Sequence, residues 1–288
     1  MADAEQLTEP VAFHAEGPVW SPSWGGLRWV DMFAGDVLSM GLDGAGPVGQ
    51  ISRRHVGAIA AALRPRREGG AVIAVERGFI LEGADGGLDP LPDVWTDAGL
   101  RMNEGGCDPD GRFYCGSMAY DKAPGRGTVY RLEPDRSVSV AFGGSTISNG
   151  LAWSPDGSLA YYIDSDASRV DVFDYDADAG LTDRRTLIEL PDGAGDPDGM
   201  TVDADGHLWV ALYAGSAVRR YRPDGTLDGV VELPVSNVTA CTFAGPDLDQ
   251  LVITTSREGL PEGAQPEAGS LFRTRPGATG VPVIKFAG

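Results

Sequence analysis

Long apolar runs are missing from this chain of 288 residues, and with them the means to cross a bilayer as helices. The segment Met1 to His14 carries carboxylates and no continuous apolar stretch, so no secretory signal is expected and a soluble cytoplasmic protein is anticipated. Basic runs are also scarce. Apart from Arg64-Pro65-Arg66-Arg67 nothing interrupts a formal net charge of −19, which repels phosphate backbones and anionic lipid, so neither nucleic acid nor membrane is an expected partner. Cysteine is limited to Cys107, Cys115 and Cys241, an odd number without C-x-x-C spacing, which predicts buried free thiols and a reducing compartment. Histidine is limited to His14, His55 and His207, too few and too scattered for a histidine-based metal site. His207 follows an Asp-Gly turn and His55 lies in a polar segment, so both are expected at the surface or in packing, while His14 is placed to line a channel in a supporting role. No Gly-x-Ser-x-Gly elbow, P-loop or Rossmann fingerprint occurs, which leaves covalent serine and nucleotide chemistry without support. Helical periodicity is nowhere sustained for three turns.

What is abundant is turn chemistry. Glycine (41) and proline (20) are spread along the whole chain, and 42% of the residues are hydrophobic, which suits many short strands around a sizeable core. One unit recurs: an apolar segment, an Asp-Gly-type turn, then further apolar segments. The turn is Asp110-Gly111, Asp156-Gly157 and Asp205-Gly206, with Trp24-Gly25-Gly26, Glu68-Gly69-Gly70 and Pro246-Asp247 at matching points. Glycine supplies the positive φ that a tight hairpin needs. Aligning the strand before each turn superposes Trp20, Leu63, Cys107, Trp153, Val202 and Phe243. Four residues earlier stand Glu16, Ile59, Asn103, Asn149, Asp198 and Thr239, at intervals of 43, 44, 46, 49 and 41 residues. A four-stranded propeller blade occupies roughly 40–50 residues. The spacing therefore predicts an all-β chain: a six-bladed β-propeller of four-stranded antiparallel blades around a central channel, with residues 1–288 as a single domain. Val11-Ala12-Phe13 and Val281-Pro282-Val283-Ile284 are expected to complete one blade jointly and close the ring.

Innermost strands of a propeller run along its channel, so residues in one register lie at one height around the axis. Glu16, Asn103, Asn149 and Asp198 carry side-chain oxygens there, and Glu16, Asn149 and Asp198 each precede a glycine, where a missing Cβ leaves room near the axis. Carboxylates converging on one point repel each other unless a cation sits between them. All-oxygen ligation suits a hard divalent ion such as calcium, magnesium or manganese, with zinc or iron(II) also able to bind, and three protein ligands leave positions open for water and substrate. Arg101, two residues before Asn103, is expected to point at the same mouth with its guanidinium fork. Asp121, after a second strand, is expected to reach over the mouth from a loop.

The stretches Glu16-Gly17-Pro18-Val19-Trp20, Arg101 to Arg112, Ser148 to Ser154 and Pro197-Asp198-Gly199-Met200 resemble the SMP-30/gluconolactonase/luciferin-regenerating-enzyme-like family of regucalcin-like lactonases. Together these motifs are specific, and blade-like spacing matches along nearly the whole chain. The resemblance implies that Glu16, Asn149 and Asp198 hold one divalent metal ion and that Arg101 and Asn103 contact a sugar lactone. The family often has an acidic lid residue at the position of Asp121, and commonly a shorter Asp where this chain has Glu104, a departure that bears on substrate choice. The expected activity is hydrolysis of a gluconolactone-, xylonolactone- or arabinolactone-type ring to the aldonic acid by a monomer or weak homo-oligomer. Asp198 is the expected general base, with a water activated by the ion as the alternative. Two other readings stand beside it: an organophosphate or aryl-ester hydrolase on the same scaffold, and a non-catalytic calcium-binding propeller.

Overall fold

In the computed structural model, which describes residues 4–288, the strands form six antiparallel sheets of four. Their innermost strands are Ala15–Ser21, Ala60–Pro65, Leu100–Cys107, Ser148–Trp153, Asp196–Val202 and Val238–Ala244, and each sheet is built outward from one of them as a blade, numbered one to six in that order. The chain is the six-bladed β-propeller that the spacing predicts. Its helical elements among the described residues are three single 3-10 turns, Pro22–Trp24, Met32–Ala34 and Ser165–Ala167.

The turn residues behave as their chemistry requires. Gly111, Gly157 and Gly206 have φ of 88°, 74° and 83°, the left-handed region where a Cβ is disfavoured. The core lies between the blades, where apolar residues of neighbouring sheets interdigitate. Trp209 and Val218 of blade five pack with Cys241 and Ile253 of blade six, and Tyr114 of blade three packs with Trp153 and Tyr162 of blade four. Cys107, Cys115 and Cys241 are buried free thiols, as expected.

Ring closure differs from the expectation. The strand that completes blade six is Glu5–Gln6, paired antiparallel with Leu271–Thr274, whereas Val11–Phe13 and residues 281–284 lie outside any strand. Pro10 and Pro282 flank or interrupt those two apolar segments and lack the N–H that a sheet ladder needs. The C-terminal segment instead crosses the face bearing the Asp-Gly turns. Phe286 donates its N–H to the Pro65 carbonyl at 2.8 Å and is fully buried, and Ala287 donates to Gly111 at 2.8 Å.

Candidate metal centre

Each of the six inner strands carries a β-bulge within one residue of the same register position. In blade one, Glu16 pairs with Val30 and Val19 with Arg28, so the inner strand spends one residue more than its partner. The same irregularity falls between Met102 and Gly105, Ser148 and Leu151, and Pro197 and Met200, with one-residue slips at Ala60/Ala62 and Val238/Ala240. Asn103, Asn149 and Asp198 thus lie within their bulges and Glu16 immediately before its own, and a bulge re-aims the side chains around it. The neighbouring glycines have two distinct causes. Gly17 is left-handed at φ 51°, while a Cβ on Gly150 or Gly199 would stand 2.8 Å from the Asp198 carbonyl oxygen or 2.5 Å from Ala240 Cβ. At Gly150 and Gly199 the missing side chain lets adjacent inner strands approach, rather than clearing the axis.

All four side chains, with Arg101, line one cavity of about 100 Å³ at the end of the channel where the inner strands begin. All five residues are buried. Asn103 is the hub: its amide donates to Ser148 O at 2.8 Å and Asn149 Oδ1 at 3.1 Å, and its oxygen accepts from Arg101 Nη1 at 2.6 Å. Asn149 in turn donates to Ser165 Oγ at 2.8 Å, and that hydroxyl donates to the Pro197 carbonyl at 2.6 Å. These bonds fix the Asn149 amide with its oxygen turned to Asn103 and the cavity. Arg101 is not a surface arginine. Its guanidinium lies 5.4 Å from the Phe33 ring and 5.9 Å from the Tyr120 ring, and its hydrogen bonds leave from Nη1, so the other edge stays open to a ligand.

The two carboxylates are short of donors. Glu16 accepts one backbone N–H, from Gly17 at 3.0 Å, and Asp198 accepts no hydrogen bond from any described residue. Burial, and then the charge of Asp198, pushes the Glu16 carboxyl well above its usual range; burial, and then the charge of Glu104, does the same to Asp198. Two desolvated carboxylates beside a fixed amide oxygen form a donor set that lacks positive charge, and a hard divalent cation fits it. His14, on the same wall, has Nε2 3.9 Å from Glu16 Oε1 and Nδ1 2.8 Å from Ser256 Oγ. Burial, then Arg101, lowers its pKa to about 3, so it stays neutral beside the carboxylates.

Asp121 is not part of this cavity. It is exposed, with its carboxylate accepting the Ala123 N–H at 3.1 Å to close a local turn, and the residue that lines the cavity is the next one, Lys122. The sequence reading also missed Tyr213 and Glu258. Asn237 donates to the Glu258 carbonyl at 2.8 Å, Ser256 Oγ accepts the Glu258 N–H at 2.9 Å, and Tyr213 Oη donates to the Glu258 carbonyl at 3.2 Å, so this loop segment is pinned against the channel. No repeat position marks Glu258; what brings it to the channel is the bridge between Ser256 and His14 across the ring junction, a long-range pairing. Glu104 points away from the cavity into a second space of about 110 Å³, shared with Arg64 and capped by residues 281–284. Its Oε2 has no hydrogen-bond partner among the described residues, and burial raises its carboxyl to about 7.

Asp203, Asp205 and His207 form another group able to hold an ion, with ligand atoms within 4.8 Å of one another. Here the donors are already in place: Asp203 accepts from the N–H groups of Asp205 and His207 and from Trp209 Nε1 at 3.0 Å, and Arg220 stands 3.4 Å away. His55 pairs with Asp36 at 2.9 Å at the surface, as expected.

The SMP-30/Gluconolactonase/LRE-like region matches residues 14–257. Regucalcin of Oryctolagus cuniculus is 37% identical over 287 residues, covering 95% of this chain and 94% of its own length. A structure from Agrobacterium tumefaciens, described as a calcium-binding protein, regucalcin, superposes with a TM-score of 0.90 at 28% identity, covering 99% of this chain and 97% of that one. A gluconolactonase of Xanthomonas campestris superposes with a TM-score of 0.74 at 25% identity, covering 93% and 87%.

Proposed function

The chain belongs to the SMP-30/gluconolactonase/LRE-like family, and from that premise we propose that it hydrolyses a sugar lactone to the aldonic acid with one divalent ion bound by Glu16, Asn149 and Asp198. The observation that carries this reading is the pair of buried, donor-poor carboxylates on one cavity wall beside an amide oxygen held in place by Asn103 and Ser165. Bound there, the ion would polarise the lactone carbonyl, acidify a water and offset the charge of a tetrahedral oxyanion.

The chain's own groups divide the remaining work. Asp198 accepts the proton of the attacking water. Arg101, with the open edge of its guanidinium, and Asn103 orient the ring through its hydroxyl groups. Neutral His14, tied to Ser256, props Glu16 without adding a competing positive charge. The polar lining favours a hydroxylated substrate over an aryl phosphotriester. The test is a pH-indicator assay with calcium-, manganese- and zinc-loaded protein on gluconolactone, xylonolactone and arabinolactone beside an aryl phosphotriester. Turnover of a lactone and not the triester is expected; ion binding with no turnover across the panel would instead leave a calcium-binding protein, the description carried by the Agrobacterium relative.

A further inference from the structure

Charge is divided unevenly around the cavity. Arg101 and Lys122 both come from blade three, whereas Glu16, Asp196, Asp198 and Glu258 come from blades one, five and six. Lys122 is one of two lysines in the chain, the other being Lys285. Its ammonium has no ion-pair or hydrogen-bond partner among the described residues, and Arg101 likewise forms no ion pair. The turn holds Lys122 in place: its backbone is left-handed at φ 56°, its N–H donates to Ala119 O at 3.0 Å, and Asp121 closes the next bond with Ala123. A left-handed lysine is a conformation that most side chains avoid, and here it faces the cavity mouth instead of an acidic neighbour. In a chain with a net charge of −19, two unpaired cations on one side of a single cavity form an anion-binding half opposite the carboxylate half.

We propose that the lactone preferred by this site carries a carboxylate, as the monolactones of sugar diacids do, and that Lys122, with the open edge of Arg101, binds that carboxylate while the ring carbonyl faces Glu16, Asn149 and Asp198. This rests on the lactonase reading and names its substrate class. An ammonium and a guanidinium fork together recognise a carboxylate through charge-assisted hydrogen bonds, which a hydroxymethyl group in the same position cannot match.

The test compares glucaro-γ-lactone with glucono-γ-lactone, which differ by a carboxylate in place of a hydroxymethyl group, in the ion-loaded native protein and in Lys122→Gln and Lys122→Glu. The native protein should favour the carboxylated ring by about ten- to a hundredfold in kcat/KM, expressed in KM; Lys122→Gln should collapse that ratio and Lys122→Glu should invert it. Calorimetric titration with glucarate and gluconate reads the same preference as affinity, without turnover. Equal kcat/KM for the two lactones, or a ratio unmoved by Lys122→Gln, overturns the inference while leaving the lactonase reading intact. Hydrolysis of neither lactone overturns the inference, and the lactonase reading fails with it only if xylonolactone and arabinolactone are inert too; indifference of the native protein to glucarate over gluconate would likewise sink the inference.

Discussion

Two acidic clusters in this molecule have opposite electrostatic settings. At the turn between the first two strands of blade five, the Asp203 carboxylate is surrounded by donors: two backbone N–H groups, an indole N–H and a guanidinium. At the mouth of the channel, Glu16 and Asp198 are also buried, yet a single backbone N–H, donated to Glu16, serves the pair, and their carboxyls are driven upward by burial and then by neighbouring carboxylates, Asp198 acting on Glu16 and Glu104 on Asp198. Acidity alone therefore does not mark a cation site. The unfilled demand for positive charge does, and the two clusters separate on that count although Asp203, Asp205 and His207 have the tighter grouping of ligand atoms.

Replacing one member of each cluster should break the two apart. The largest effect is expected for Asp198→Ala, which should abolish lactone hydrolysis by more than about a thousandfold, since it removes both a ligand and the proposed base. Steady-state rates at saturating ion check it, and retained turnover would remove Asp198 from the mechanism. Asp203→Ala should do the converse: activity per folded molecule persists, but stability falls by about 2–4 kcal/mol in urea, because three N–H donors and the half-buried Arg220 guanidinium lose an acceptor.

Packing beneath the upper cluster gives the next effect. Gly199→Ala forces a Cβ against Ala240 at 2.5 Å and should cost about 1–3 kcal/mol while shifting the Asp198 bulge, readable as a lowered melting temperature together with weakened ion binding. Glu104 sharpens the comparison through pH. Its folded-state carboxyl lies near 7 against an ordinary 4.5, so the folded state holds its proton more tightly than the unfolded chain. Below the unfolded value no stability is lost through this group; as pH rises through that window stability declines by up to about 3 kcal/mol, then levels off. Melting temperatures of Glu104→Gln measured from acid to neutral pH should show a flatter profile than the native protein. The smallest effect belongs to Asp121→Ala assayed on glucono-γ-lactone, which has no carboxylate for Lys122 to bind: losing one bond of an exposed turn should change kcat/KM for that substrate less than about twofold.

Much of this architecture was legible in the chain. The Asp-Gly turns and the intervals between Glu16, Ile59, Asn103, Asn149, Asp198 and Thr239 report blade count directly, because tight hairpins and equal blade lengths impose local chemistry that recurs. Register carried the ring residues to one cavity for the same reason. Ring closure was harder: a two-residue pairing, Glu5–Gln6 against Leu271–Thr274, has too little pattern to read, while the more apolar Val281–Ile284 serves as a cap over the channel. Lys122 and Glu258 were invisible for another reason. Both sit on connections whose path is set by turns and long-range hydrogen bonds, so the place of Asp121 on a loop after a strand suggested the mouth while the left-handed backbone turned its neighbour inward.

Calorimetric titration of calcium or manganese into the native protein, Asp198→Asn and Asp203→Asn tests the cation assignment most directly. One ion per chain is predicted for the native protein and for Asp203→Asn, with binding lost in Asp198→Asn. Undiminished binding in Asp198→Asn together with loss in Asp203→Asn would move the metal to the other cluster and contradict the account.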